Sequence, residues 1–144
     1  VDVTLPSDFP TLGWTAGSTV HLSGNQAYQL VQYRDQSQFD SATNRLGNEK
    51  AFLSGFINKV YEKTKSDVTF PVTLYQNISN YVVTDVSIDE MSYLASELLG
   101  YSIGDMKVYS VPGQTVMGTK FEEYYIDQAA LKNQMLEIFY ELVK

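Results

Sequence analysis

Arg34 and Arg45, the only arginines in the chain, stand eleven residues apart, and the polar stretch between them is charged only at Asp35 and Asp40. A planar guanidinium grips phosphate oxygens in pairs, which a lysine ammonium cannot do. A helix N-terminus adds free N–H groups and the positive end of a dipole, both favouring an anion. Arg34 ends one expected helix and Arg45 falls in the first turn of the next, so their spacing suits an anion such as a phosphate ester. The more ordinary reading is two surface arginines paired with Asp35, Asp40 or Glu49, and composition alone favours it. Other chemistries find fewer parts. The absence of cysteine removes disulfides, thiolate nucleophiles and cysteine metal sites. The single histidine, His21, has no second histidine to work with, so zinc-hydrolase and Ser/His schemes lack components. Glu122 and Glu123 are neighbours on an expected strand and face opposite sides, which does not make an acid/base pair.

The elements that must position these residues can be read from caps and periodicity. Residues 1 to 22 read as extended, with Pro6, Pro10, Gly13 and Gly17 marking turns around Trp14. Ser23 followed by Gln26 is a capping-box pattern and predicts a helix from about Gly24 to Tyr33. Asp35 to Thr43 reads as a loop. A longer helix is expected over Asn44 to Lys63, with Leu46, Phe52, Leu53, Phe56, Ile57 and Val60 as its apolar stripe. Gly47 and Gly55 inside it imply close backbone packing or a weak first turn. Residues 70 to 83 fit either a helix over Val72 to Ser79 or a strand over Tyr81 to Val83. Ser87 and Glu90 form a second capping box, opening a helix that Gly100 ends. Lys107 to Val111 and Phe121 to Ile126 read as strands. Asp127 then caps a last helix with Leu131, Met135, Ile138, Phe139 and Leu142 inward. Helices interleaved with strands indicate an α/β or α+β fold, a layered sheet with flanking helices, and residues 1–144 read as a single domain.

Composition bounds the function. With 144 residues, 44% hydrophobic and 13% aromatic, the chain is long and apolar enough to bury a core. A net charge of −7 argues against nucleic acid as a partner. No apolar run reaches the roughly 20 residues that span a bilayer. The chain opens at Val1 directly into strand-like alternation, so it is expected to continue upstream, where any membrane anchor would lie.

Several blocks together resemble one family. Gly17-Ser18-Thr19-Val20-His21-Leu22-Ser23-Gly24-Asn25-Gln26-Ala27, then Val31-Gln32-Tyr33-Arg34, is similar to the LytR-CpsA-Psr pattern G-x-x-H/Q-L-x-G-x-x-A-L leading into V-R-x-R. Asn44-Arg45-Leu46-Gly47-Asn48-Glu49-Lys50-Ala51-Phe52-Leu53 is similar to that family's D-x-x-R-x-x-R-Q block. Val1-Asp2-Val3, Thr84-Asp85-Val86-Ser87 and Val111-Pro112-Gly113 match further landmarks in the same order. The resemblance covers most of the chain and corresponds to the C-terminal half of the family's domain.

The resemblance implies a transferase that moves a glycopolymer from a polyprenyl-pyrophosphate carrier to peptidoglycan. It places the protein outside the cytoplasmic membrane, in the extracellular cell envelope of a Gram-positive bacterium. It also implies magnesium, whose ligands fall outside this chain, a cluster of arginines on the pyrophosphate, and a hydrophobic pocket for the lipid. The family's legacy "transcriptional attenuator" label finds no support in so acidic a chain. Position by position, Arg34 and Arg45 fall on pyrophosphate-binding arginines. Gln32 and Asn48 replace two others, Glu49 replaces a glutamine, and Ala42 replaces an aspartate for which Asp40 lies near. Gln32, Asp35, Asp40, Asn48 and Glu49 are the expected site-lining residues. Replacing guanidinium contacts worth roughly 1.5–3 kcal/mol each leaves the chain inactive by itself. The alternative is a non-catalytic relative that binds envelope glycan or a protein partner. A partial domain would either rearrange compactly, self-associate, or take a second chain or segment to complete its sheet.

Overall fold

The computed structural model describes residues 1–35, 37–101 and 107–140. Strand β1 (Asp2–Thr4) pairs antiparallel with β2 (Thr19–His21), Val3 opposite Val20. Between them the chain makes a 3-10 turn over Pro10–Leu12, closed by Gly13 at a φ of 68°, in the left-handed region that glycine adopts without steric cost. Helix α1 (Gly24–Gln32) starts where the capping box places it: Ser23 Oγ accepts from the Gln26 N–H, and Gln26 Oε1 accepts from the Ser23 N–H.

Helix α2 (Ser41–Ser66) is longer than expected at both ends. Asp40, at a φ of 64°, turns the chain sharply enough for the helix to begin at Ser41, so Arg45 lies in its second turn. The backbone N–H groups there are already bonded within the helix, and Arg45 loses the terminal N–H contribution expected of it. Helix α3 (Phe70–Ile78) resolves the ambiguity of residues 70 to 83 in favour of helix. Helix α4 (Ile88–Leu98) carries the second capping box, Ser87 with Glu90.

The C-terminal third departs from expectation in one element. Residues 107–111 form no strand, and the strand begins instead at Gly113: β3 (Gly113–Met117) pairs antiparallel with β4 (Glu122–Ile126). Alternation alone makes no strand. It needs a partner, and β4 reaches 113–117 through a short turn, whereas Pro112 has no N–H to extend the ladder. Helix α5 (Gln128–Phe139) is capped by Asp127, whose Oδ1 accepts from the N–H groups of Ala129 and Ala130 at 3.0 and 2.9 Å. The fold is therefore mixed, in its α+β form. Among the described residues the strands form two antiparallel two-stranded sheets, β1–β2 and β3–β4, flanked by the helices.

The core sits at the N-terminal end. Val3, Leu5, Phe9, Leu22 and Leu30 are buried, with Trp14, Tyr33, Ala51 and Phe52 packed around them. Burying each of these large side chains contributes roughly 1.5–3 kcal/mol. Gly55 is what lets β1 lie on α2, since a Cβ there would come 2.5 Å from the Asp2 carbonyl oxygen. Gly47 has open space around it and has no such packing role. The inward face expected of α5 is covered only at its start among the described residues: Leu131 is half-buried, Met135, Ile138 and Phe139 are exposed, and Leu142 lies outside the described residues. Leu46 and Leu53 of the expected α2 stripe are exposed as well.

Candidate functional site

The site forms where the end of α1, the loop after it and the start of α2 meet the β3–β4 sheet. Arg34 follows α1 directly. Its Nε donates to Ser41 Oγ at 2.9 Å, and a terminal nitrogen lies 3.6 Å from Glu122 Oε2, an ion pair beyond hydrogen-bond length. Glu122 is on β4 with its side chain only 14% exposed. Its other oxygen, Oε1, accepts from the Asp40 backbone N–H at 2.9 Å. The Thr115 hydroxyl, from β3, donates to Asp40 Oδ1, and the Thr43 and Thr115 hydroxyls are 3.3 Å apart. The Thr115 hydroxyl, and then that of Thr43, hold the Asp40 carboxyl below the ordinary carboxylate range. Asp40 is thus a joint between the helix start and the sheet.

Beside this joint lies a cavity of about 390 Å³ whose walls include Asp8, Tyr33, Arg34, Asp35, Asn44 and Asn48. Asn48 is 1% exposed, and its Oδ1 has no hydrogen-bond partner among the described residues. Asn44 and Asn48, one turn apart on α2, both belong to the wall of this cavity. Asp35 is held by its own loop: its Oδ1 accepts from the Ser37 N–H at 3.0 Å and the Ser37 hydroxyl at 2.6 Å. Those bonds, the hydroxyl's first, lower its pKa from the ordinary value. Charged groups on the cavity wall are two carboxylates, Asp8 and Asp35, and one guanidinium, Arg34.

Of the residues singled out from the sequence, Arg34, Asp35 and Asn48 share this cavity, and Asp40 stands at its joint with the sheet. Arg45 does not line it. Its Nε sits 3.3 Å from Glu49 Oε1, an exposed pair one helical turn apart of the kind worth roughly 0.3–0.5 kcal/mol. Gln32 is exposed on the last turn of α1. Ser41, Thr115, Asp8, Asn44 and the role of Glu122 were not foreseen. Strand alternation at Glu122-Glu123 was the available signal, since one of the two had to turn inward. The magnesium that the resemblance implies finds no group of three Asp, Glu or His side chains to hold it among the described residues.

A second cavity of about 320 Å³ lies farther along α2 and is apolar, walled by Val60, Leu74, Met91, Leu94 and Leu98 among others from α2, α3 and α4. Asn48 and Val60 are twelve residues apart, so the two cavities are spaced by roughly 18 Å along one helix. No helix among the described residues is long and apolar enough to cross a membrane.

Fold and site define a mixed α+β protein with a polar cavity at the head of a long helix. The model of the LytR_cpsA_psr family matches residues 2–141, and the chain belongs to that family of cell-envelope proteins. Among solved structures, "Crystal structure of B. subtilis TagU" is similar in fold, with a TM-score of 0.61 and 19% identity. That similarity covers 100% of this chain and 59% of the TagU chain, so this chain spans less than two thirds of that relative. Among curated protein sequences none matches.

Proposed function

We propose that this chain is the glycan-binding part of an LCP-type envelope protein and does not by itself transfer a glycopolymer from polyprenyl pyrophosphate to peptidoglycan. The charge balance of the cavity carries this reading. One guanidinium faces two carboxylates there, and that guanidinium already has Glu122 beside it. A pyrophosphate would bring further negative charge into a site that is net negative without it, and phosphoryl transfer depends on the opposite arrangement. Amide and carboxylate groups in such numbers suit the hydroxyls of a sugar. The apolar cavity farther along α2 has the lining that a lipid-linked ligand's hydrocarbon chain would take.

A second reading keeps the phosphotransferase of a larger parent protein, with Arg34 and Arg45 on the pyrophosphate. It is favoured by the long 3.6 Å separation of Arg34 and Glu122, which leaves the terminal guanidinium nitrogens free to turn to a better anion. Equilibrium titration of the full chain with a polyprenyl-pyrophosphate analogue plus magnesium, and separately with a phosphate-free envelope glycan, decides between them. The glycan is expected to bind, and the analogue to gain nothing from its phosphates. Micromolar binding of the analogue, lost in both Arg34→Ala and Arg45→Ala, would establish the second reading instead.

A further inference from the structure

Arg34 lines the polar cavity, and among the described residues its one ion pair is with Glu122, which comes from β4 and does not line it. The two partners differ in exposure. The Arg34 side chain is 38% exposed, whereas Glu122 Oε2, the oxygen nearer to it, is buried without a hydrogen bond among the described residues. Each side chain is also tied elsewhere: the Asp40 N–H donates to Glu122 Oε1 at 2.9 Å, and Arg34 Nε donates to Ser41 Oγ at 2.9 Å. They therefore make no fork, and across 3.6 Å it is charge that relates them. Water screens an exposed charge far more than a buried one. Asp8 and Asp35 are exposed, and each is bonded within its own loop. Of the three carboxylates around Arg34, Glu122 is thus the one whose charge the guanidinium feels most.

A phosphate in the cavity needs the terminal N–H groups of Arg34. Turning them to it draws the cation away from Glu122 Oε2, which is then buried with neither a hydrogen bond nor a counter-charge. Removing one partner of a buried pair costs far more than the pair itself contributes, because the other charge stays uncompensated. Leaving the guanidinium in place is no easier, since phosphate and Glu122 then repel each other across a single cation. An uncharged ligand meets neither cost. Resting on the reading above that phosphates add nothing to binding, we infer that Glu122 is a specificity-determining residue of this site. It is an internal carboxylate that occupies Arg34 and keeps phosphate out of the cavity.

The test is an equilibrium titration of the full chain with inorganic pyrophosphate, comparing the unaltered protein with Glu122→Gln, Glu122→Gln/Arg34→Ala and Ser41→Ala. Glutamine keeps a carbonyl oxygen for the Asp40 N–H and removes only the charge. Glu122→Gln is expected to bind pyrophosphate at least about tenfold more tightly than the unaltered chain, the size of one charge-assisted hydrogen bond. Adding Arg34→Ala is expected to abolish that gain. Ser41→Ala releases Arg34 Nε but keeps the Glu122 charge, and it is expected to gain nothing. Glu122→Asp withdraws the charge by one methylene and is expected to gain about threefold, which keeps the test decisive where glutamine unsettles β4. No gain in either Glu122 variant, a gain that survives Arg34→Ala, or an equal gain in Ser41→Ala overturns the inference and leaves the glycan-binding reading standing. Micromolar pyrophosphate binding by the unaltered chain overturns both. A gain in Glu122→Gln when the unaltered chain binds neither pyrophosphate nor glycan supports the inference and overturns that reading alone.

Discussion

Around β1 and the middle of α2, apolar side chains close on one another; around β3, β4 and α5 they face outward, and hydroxyls and carboxylates make the joint. Phe9 and Leu30 have no exposed surface, whereas Phe139 is 66% exposed and Tyr124 49%. What ties the β3–β4 sheet and the segment before it to α2 and the loop that leads into it is polar: Glu122 to the Asp40 N–H and to Arg34, Thr115 to Asp40 and Thr43, and Ser110 to Lys50. Hydrophobic burial is insensitive to small displacements, but hydrogen bonds and ion pairs weaken steeply with distance and angle. The shape of the polar cavity therefore depends on the part of the molecule held by the most exacting contacts. Its floor belongs to the core, through Tyr33 and Asn48, and its charged edge belongs to the joint.

This contrast predicts unequal responses. Leu30→Ala is expected to destabilise the chain by about 3 kcal/mol, since it leaves a cavity in the only buried cluster among the described residues. Phe139→Ala, by comparison, should cost under about 1 kcal/mol. Denaturant unfolding of the two variants measures both, and equal losses would mean that α5 is packed in solution. Next in size is Glu122→Ala, which leaves the Asp40 N–H without its acceptor and Arg34 without its carboxylate. It should cost about 1–2 kcal/mol, confined to the joint. Amide hydrogen exchange is expected to quicken roughly tenfold in β3 and β4 and to stay unchanged in β1 and β2. A uniform rise along the chain would show that the two regions unfold as one.

The smallest effect is acid sensitivity. The Asp40 carboxyl is held below its ordinary value of about 3.9 by Thr115 and Thr43. Its contribution to stability is therefore fully present above that pH and fades as the pH falls through the lowered folded value. Protection of the β3 and β4 amides, taken relative to the intrinsic exchange rate at each pH, should fall below about pH 4, and the step attributable to Asp40 should vanish in Asp40→Asn. An identical acid profile in that variant would remove Asp40 from the joint.

The starts of α1, α4 and α5 were legible because Ser23, Ser87 and Asp127 satisfy helix-end N–H groups through atoms two or three residues away. The mixed fold class and the resemblance at Arg34 to Leu53 were legible for a similar reason, since both are carried by local order along the chain. The strand expected over Lys107 to Val111 failed because pairing is decided by a partner, which residues 113–117 found in β4. The helix-end N–H contribution expected at Arg45 was built on a helix starting near Asn44. The left-handed Asp40 moved that start and left Arg45 to Glu49.

By itself, the sequence determined where the three side-chain-capped helices begin, the mixed fold class, and that few parts exist for thiol or Ser/His chemistry. Only the tertiary structure decided that Glu122, nearly ninety residues from Arg34 in sequence, lies beside it. Only the tertiary structure, too, buried the Asn48 amide with its carbonyl unmet. Charge and periodicity are properties of the chain, whereas an unpaired acceptor in a wall exists only once the other walls have been brought to it.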